Sequence, residues 1–490
     1  MTRKRLNILF IASEAEPFVK VGGLGDVAGS LPQAIHDLIN EEVVSDIRLV
    51  LPFYGQIKKR FPEIKKLTDF NFHTGSLSFK ASLFVLSSNG IPVYFIDGLP
   101  IKENEPVYGS NFMADAEKFI FFSLACLELP RVLNWEIDIL HANDWHTAIA
   151  VHQLARFRES RREFARIKSV ITLHNLAYMG AGSELALAKF GIEPAEDSTL
   201  PIWARTIPLP MGLSSADKIV PVSPTYAREI LTPDFGCGLE NYFSQHKAKI
   251  EGILNGINNS LWDPSTDTLI PARYNIHDLA GKKACKKTLK KEMGLNITEQ
   301  YPLITIISRM DQQKGIDLAI ESLSRLTDKN WHAIILGSGD PLLEKSALAL
   351  ESKMPDKVKA KILFDSSLSH RLYAGADIIL MPSRYEPCGL SQLIAMRYGT
   401  IPVASATGGL SDTIITNAKA NKRSVYLFSP AIAEQLTNCL SMVLDDFQDT
   451  NQWHKTMKSA MTQDFSWSVS AKKYCELYQK ITFNNHQEEK

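Results

Sequence analysis

Short, continuous apolar runs rich in Ile, Val and Leu recur along this chain, separated by stretches with helical periodicity. The first series comprises 7–12, 46–51, 93–96, 137–141, 169–173 and 218–222; a second comprises 303–308, 332–336, 361–364, 377–381 and 401–404. A run that stays apolar instead of alternating is buried on both faces. With helices between such runs, the pattern predicts parallel sheets in α/β domains. The pattern weakens around 257–274, and a Lys-rich helical stretch follows. This predicts two Rossmann-like, doubly wound domains, at 1–250 and 251–465. The segment 465–479 has the spacing of an amphipathic helix, with Trp467, Val469, Tyr474, Leu477 and Tyr478 on its apolar side. Residues 466–490 are therefore read as a C-terminal helix and tail that packs back on either domain.

Length supports the division, because 490 residues exceed what one compact core holds. Lys plus Arg and Asp plus Glu both number 54, which argues against a dedicated nucleic-acid binder. Two local basic runs, 156–168 and 282–291, read as solvated helix faces. The six cysteines are scattered, with no metal-ligand or C-x-x-C spacing, which favours a reducing compartment. Arg3, Lys4 and Arg5 precede an apolar run, as in a signal peptide. That run is short, and Glu14 and Glu16 follow at once, so it reads better as a first buried strand. No segment reaches the apolar length a bilayer crossing needs. The expectation is a cytoplasmic protein with neither a membrane nor a nucleic acid as partner.

The unusual residues fall just after predicted strands, where open α/β sheets bind ligands. Lys20-Val-Gly-Gly-Leu-Gly-Asp26 follows the first strand and opens a helical pattern. Its glycines allow a backbone tight enough to turn several N–H groups toward an anion, with Lys20 as an adjoining cation. In the second series, Arg309 ends a strand and Lys314 precedes Gly315, placing two cations where one diphosphate can meet both. The segment Pro382-Ser-Arg-Tyr-Glu-Pro-Cys-Gly-Leu-Ser-Gln392 reads as strand, turn and a helix starting near Gly389. The amides of Cys388, Gly389 and Leu390 are then donors for a phosphate, and Glu386 suits sugar hydroxyls. A further Gly turn follows at Thr407 and Gly408. In the first series, His141-Ala-Asn-Asp-Trp-His146 and Thr172-Leu-His-Asn-Leu-Ala-Tyr178 also follow strands. Their histidines match no zinc spacing, so Asp144 and His174 read as hydrogen-bonding groups for a sugar, and no metal is expected.

In combination these motifs resemble the bacterial glycogen synthases and plant starch synthases, retaining glucosyltransferases of GT-B fold. The resemblance runs from Lys20 to Asp464-Phe-Ser-Trp467, through Val-Ser-Pro-Thr-Tyr-Ala, Leu-Asn-Gly and Glu-Pro-Cys-Gly-Leu. It implies two domains facing across a deep cleft, and transfer of glucose from ADP-glucose or UDP-glucose to glycogen or a malto-oligosaccharide with retained configuration. No cofactor is implied. Lys20, Gly23, Asp26, Arg309 and Lys314 would surround the donor's diphosphate and ribose, and Glu386 would face its glucose. His174 would sit beside the anomeric centre and 6-hydroxyl, with Asp144 and Asn255 nearby. Tyr108 would line the cleft, and Phe364 would stack on the base.

The sequence departs from the family pattern in three places. Leu209-Pro-Met-Gly212 replaces a Phe-x-Lys-Ala-Gly run, Asn258 replaces an Asp, and Asn143 replaces a His. Other readings are a GT-B transferase with another acceptor, a non-catalytic glucan-binding protein, and a dehydrogenase.

Overall fold

A computed structural model describes residues 6–39, 44–75, 77–298, 300–414 and 426–483. The chain forms two compact units. The first is Met1–Asn255 with Trp467–Lys490, and the second is Gly256–Ser466.

The first unit holds an eight-stranded sheet: β1 (Leu6–Ile11), β2 (Val44–Pro52), β3 (Lys65–Thr74), β4 (Leu77–Ser88), β5 (Ile91–Asp97), β6 (Ile139–Asn143), β7 (Lys168–Leu173) and β8 (Lys218–Pro221). Their spatial order is β3-β4-β5-β2-β1-β6-β7-β8. The β3–β4 and β4–β5 pairs are antiparallel and the rest parallel. Without the β3–β4 hairpin, the parallel strands follow the 3-2-1-4-5-6 order of a dinucleotide-type fold. The central strand β1 is buried along nearly its whole length, as its unbroken apolar run requires.

The second unit holds β9 (Leu303–Ile307), β10 (His332–Gly337), β11 (Val358–Ile362), β12 (Ile378–Met381), β13 (Ile401–Ser405) and β14 (Tyr426–Phe428). This sheet is entirely parallel, in the order β11-β10-β9-β12-β13-β14, the same winding again. In each unit the order reverses between the first and fourth parallel strands, and ligands bind outside the carboxyl ends at that point. Those ends belong to β1 and β6 in the first unit, and to β9 and β12 in the second.

Several expectations are corrected. The third strand of the second series is Val358–Ile362, not 361–364. It is an edge strand with alternating burial, and Lys359 and Lys361 mask its apolar positions. The β3–β4 hairpin has the same alternation and was not anticipated. The helix after Glu386 runs Ser391–Arg397, slightly later than Gly389, because Gly389 takes φ +71° in the preceding turn. The Lys-rich helix Ala280–Glu292 is not a solvated face throughout: Lys282 and Lys290 are buried.

The C-terminal helix Trp467–Phe483 belongs to the first unit and lies against helix Gly23–Asp37. Trp467, Tyr474, Leu477 and Tyr478 are buried, whereas Val469 is exposed. Tyr478 Oη meets His141 Nδ1 at 2.6 Å, and Ser470 Oγ donates to Leu254 O at 2.5 Å.

Candidate active site

In the first unit, the turn after β1 is built around a carboxylate that the sequence reading missed. Glu14 is buried, and its Oε2 accepts from the amides of Val21 and Gly22 (3.0 Å for Gly22), while its Oε1 accepts from Tyr108 Oη at 3.0 Å. Tyr108 Oη also meets Ser13 Oγ at 2.9 Å. Burial pushes the Glu14 carboxyl up, and these three donors oppose the shift. Two of the amides expected to serve an outside anion are therefore committed to Glu14. Gly22 and Gly23 are exposed at the top of the turn, and Lys20 Nζ pairs with Asp26 Oδ1 at 2.6 Å.

The glycines of this turn differ in purpose. A Cβ on Gly29 would come within 2.4 Å of Glu16 O, so close packing of helix Gly23–Asp37 on the turn demands glycine there. A Cβ on Gly23 would meet nothing within 4 Å. Nothing in the described fold requires glycine at 23.

After β6, Asp144 opens helix Asp144–Ser160 with φ +52°. Its Oδ1 accepts from His174 N at 2.7 Å. Burial raises its carboxyl to about 7, against the pull of the His174 and Asn175 amides. Asn143 proves central. Its Nδ2 donates to Ile11 O at 3.0 Å, which turns Oδ1 toward His174 Nε2, also at 3.0 Å. That fixes the proton of His174 on Nε2 and leaves Nδ1 as an acceptor. Burial holds this half-buried ring at a pKa of about 3, so it is neutral.

The other two histidines are structural. His141 bridges Tyr478 Oη and Thr172 Oγ1. His146 is buried among Tyr108, Phe119 and Trp145. Asn255 is buried, and its Oδ1 has no partner among the described residues.

In the second unit, the loops after β9 and β12 bring Lys314 and Glu386 together. Lys314 Nζ pairs with Glu386 Oε2 at 2.6 Å, and Ser383 Oγ donates to the same oxygen at 3.0 Å. Gln313 Nε2 donates to Tyr385 O, which ties the two loops. Gly315 sits at φ +64°, where a Cβ would strike Pro382 O at 2.1 Å; only glycine lets the loops approach this closely. Gly408, at φ +45°, lies equally close to Glu386 O (1.9 Å from a Cβ). Gly409 N donates to that same carbonyl at 3.1 Å. The segment after β13, with Thr407 as N-cap of helix Gly408–Thr413, thus braces the Glu386 loop from behind. Cys388 is buried in that loop, followed by Gly389 and Leu390, and Gln392 Nε2 donates to the carbonyls of Cys388 and Gly389.

Arg309 extends into solvent, its side chain 58% exposed, with Asp311 as its ion-pair partner at 3.4 Å. Phe364 stands 85% exposed in the loop after β11. Lys20 and Asp144 thus follow the strands where the first unit's order reverses, and Arg309, Lys314 and Glu386 those of the second, whereas Tyr108, His174, Phe364 and Thr407 follow other strands.

Residues 7–245 match the family model described as starch synthase catalytic domain, and 288–459 match that of glycosyl transferases group 1. The glycogen synthase of Thermodesulfovibrio yellowstonii is 37% identical over 96% of this chain and 97% of that protein. That of Lactococcus lactis is 35% identical over 97% and 100%. The chain belongs to the glycogen and starch synthase family.

As a member it is an enzyme, a hexosyltransferase of the glycogen synthase type, and its fold is GT-B. The catalytic domain of starch synthase IV from Arabidopsis thaliana, bound to ADP and acarbose, superposes with a TM-score of 0.87 at 30% identity, covering 98% of this chain and 99% of that one.

The departures from the family pattern have local explanations. Asn258 Oδ1 accepts from Ser260 N and Leu261 N, a turn that Asn closes as well as Asp. Leu209–Gly212 lies in the buried helix Pro208–Ser215, where a Cβ on Gly212 would meet Ala148 O at 2.7 Å. Among the described residues no helix is long and apolar enough to cross a membrane.

Proposed function

We propose that this family member transfers glucose from ADP-glucose to the non-reducing end of an α-1,4-glucan, glycogen or a malto-oligosaccharide, with retention of configuration. The observation that carries the reading is the Lys314–Glu386 pair at the carboxyl ends of β9 and β12. It sets a cation for a leaving phosphate beside a carboxylate for a sugar. ADP as the nucleotide is supported by the ligand of the Arabidopsis structure, and the α-glucan acceptor by the acarbose beside it.

Breaking the bond from C1 to phosphate leaves an oxocarbenium-like sugar and a nucleoside diphosphate whose charge must be stabilised. We assign that task to Arg309 and Lys314. A donor aimed at developing charge in a dry site contributes about 3–4 kcal/mol. Arg309, with one carboxylate at 3.4 Å, is free to swing onto a phosphate. Lys20, Gly23 and Asp26 are assigned to the diphosphate and ribose. The bare space over Gly23 supports an approach of ligand to backbone. Phe364 is assigned to the base. Glu386 holds glucose hydroxyls, with Cys388, Gly389, Leu390, Thr407 and Gly408 shaping the bed beneath.

His174, neutral with Nδ1 open, is suited to accept from a sugar hydroxyl, and Asp144 orients it through the backbone. Tyr108 and the unsatisfied Asn255 Oδ1 complete the polar lining. The acceptor 4-hydroxyl attacks from the face the diphosphate leaves, and the departing phosphate oxygen takes its proton. No metal or cofactor is needed for this scheme, and the cytoplasm is the compartment that the free cysteines suit.

The deciding experiment compares nucleotide release from ADP-glucose and UDP-glucose with glycogen present, together with growth of the glucan. Release from ADP-glucose that lengthens the glucan is expected. Release with no glucan growth favours another acceptor, and glucan binding with no release favours a non-catalytic protein.

A further inference from the structure

Tyr108 stands in a loop that does not hold itself. Between residues 102 and 110 no backbone–backbone hydrogen bond forms among the described residues, and neither helix nor strand runs there. Backbone groups without partners of their own kind must find them on side chains or in water. Around Tyr108 the side chains are Asp115 and Lys118, both on the helix Phe112–Leu127 that follows the loop.

Lys118 Nζ donates to Val107 O at 2.8 Å and to Pro106 O at 3.4 Å, and it pairs with Asp115 Oδ1 at 2.6 Å. The other oxygen, Asp115 Oδ2, accepts from Gly109 N at 2.8 Å. The two charges thus clamp the backbone on both sides of Tyr108, at 106–107 and at 109. Lys118 is 1% exposed and Asp115 5%. Charges buried this deeply are a poor device for stability alone, because lost hydration offsets most of their attraction. What they add here is direction: both carboxylate oxygens and the ammonium are spent on the path of one loop.

Tyr108 passes that placement on. Its single hydroxyl proton goes to Glu14 Oε1 at 3.0 Å, so Ser13 Oγ, at 2.9 Å, is the donor to Tyr108 Oη. Tyr54 Oη holds Ser13 from the backbone side, donating to Ser13 O at 2.8 Å. The Tyr108 ring rests on His146, with centroids 4.8 Å apart. Beyond Glu14 the contacts run to the amides of Val21 and Gly22, which bond its Oε2. An unbroken series of polar contacts therefore joins Lys118 to the turn that carries Lys20 and Gly23.

We propose that Asp115 and Lys118 are positioning residues for the donor's diphosphate: acting through Tyr108 and Glu14, they set the turn that meets it. The proposal rests on the assignment of the Lys20 turn to the donor made above. Both side chains are sealed inside the unit, so they act on the ligand only through the groups they hold.

Lys118→Met alone strands a buried carboxylate and endangers the fold. The charges are therefore removed together in the full chain, as Asp115→Asn with Lys118→Met, which keeps an acceptor for Gly109 N. Hydrogen–deuterium exchange should then quicken at least about tenfold in peptides spanning 13–26, while peptides from β7 and β8 keep the parent's rate. The KM for ADP-glucose should rise about tenfold, with kcat changed less than about threefold. Tyr108→Phe, which leaves the clamp intact and removes the hydroxyl, should produce the same two changes. In the Tyr108→Phe background, removing the clamp should add no more than about twofold to KM. The proposal is overturned by unchanged exchange at 13–26, by a loss of protection spread equally over β7 and β8, by a Tyr108→Phe variant that matches the parent, or by a clamp effect that persists in full without the hydroxyl. A parent chain that turns over no ADP-glucose counts against the donor reading instead, and the exchange comparison still decides whether the clamp sets the turn.

Discussion

At the scale of single residues, the proposed chemistry rests on charges at the two switch points, and they can be removed one at a time. Arg309→Ala and Lys314→Ala are each expected to lower turnover at least about 100-fold while the thermal midpoint holds. Near-normal turnover in both would remove them from the reaction. Glu386→Gln should be impaired to a similar degree yet still bind ADP, because the cations remain; a fully active variant would release Glu386 from its role. Asp144 offers a test by pH. Folding raises its carboxyl to about 7, so its stabilising share is complete below about pH 4 and is lost as pH rises through about 7. His141 and His174, both held at about 3 by burial, act in the opposite sense, and their share disappears as pH falls from about 6.5. Asp144→Asn, which keeps an acceptor for the His174 amide and tolerates positive φ, should therefore gain stability over the parent between pH 5 and pH 8, on the order of 2–4 kcal/mol. Urea unfolding at the two pH values measures this, and an unchanged difference would refute the raised carboxyl. Lys20, Arg309, Lys314, Glu386 and His174 were legible in the sequence because each stands beside a glycine turn or a strand end. Glu14 and Asn143 were not. What they do is accept from amides, or link a histidine to a strand more than a hundred residues away, and no local pattern encodes such a partner.

At the scale of elements, the glycines separate packing from binding. Gly29→Ala forces a Cβ onto Glu16 O and should cost about 1–3 kcal/mol, read as a lower urea midpoint. Gly23→Ala meets no protein atom, so the midpoint should hold while the KM for ADP-glucose rises about tenfold. A fall in stability for Gly23→Ala, with KM unchanged, would reverse that assignment. The central strands were readable because unbroken apolar runs admit one interpretation. The edge elements were harder: β11 interleaves its two buried positions, Val358 and Ala360, with Lys359 and Lys361, and the β3–β4 hairpin reads as polar until its alternation is noticed. The Lys-rich helix misled for a related reason. Composition counts charges but cannot see four acceptors converging on Lys282, which burial brings down to about 7.

At the scale of the whole molecule, the two sheets share one winding, and the last helix completes the first unit. Tyr478→Phe removes the hydroxyl that meets His141 and should cost roughly 1 kcal/mol by urea unfolding. Ending the chain at Ser466 removes Tyr474 and Tyr478, strips the cover from His141, Thr172 and the helix Gly23–Asp37, and should leave the first unit unable to fold stably, as checked by circular dichroism and limited proteolysis. A truncated chain with native stability would deny the helix that part. An amphipathic C-terminal segment was visible in the sequence, but its destination was not, because an apolar stripe does not name the surface it covers. That destination bears on how the protein is made. The ribosome delivers the opening half of the chain long before its closing piece, and at about 5–20 residues per second the wait spans some ~10–40 s. During that interval the whole of the contiguous second unit is made, while the earlier one stays unfinished until Trp467–Phe483 follows, so the part synthesised first is the part completed last.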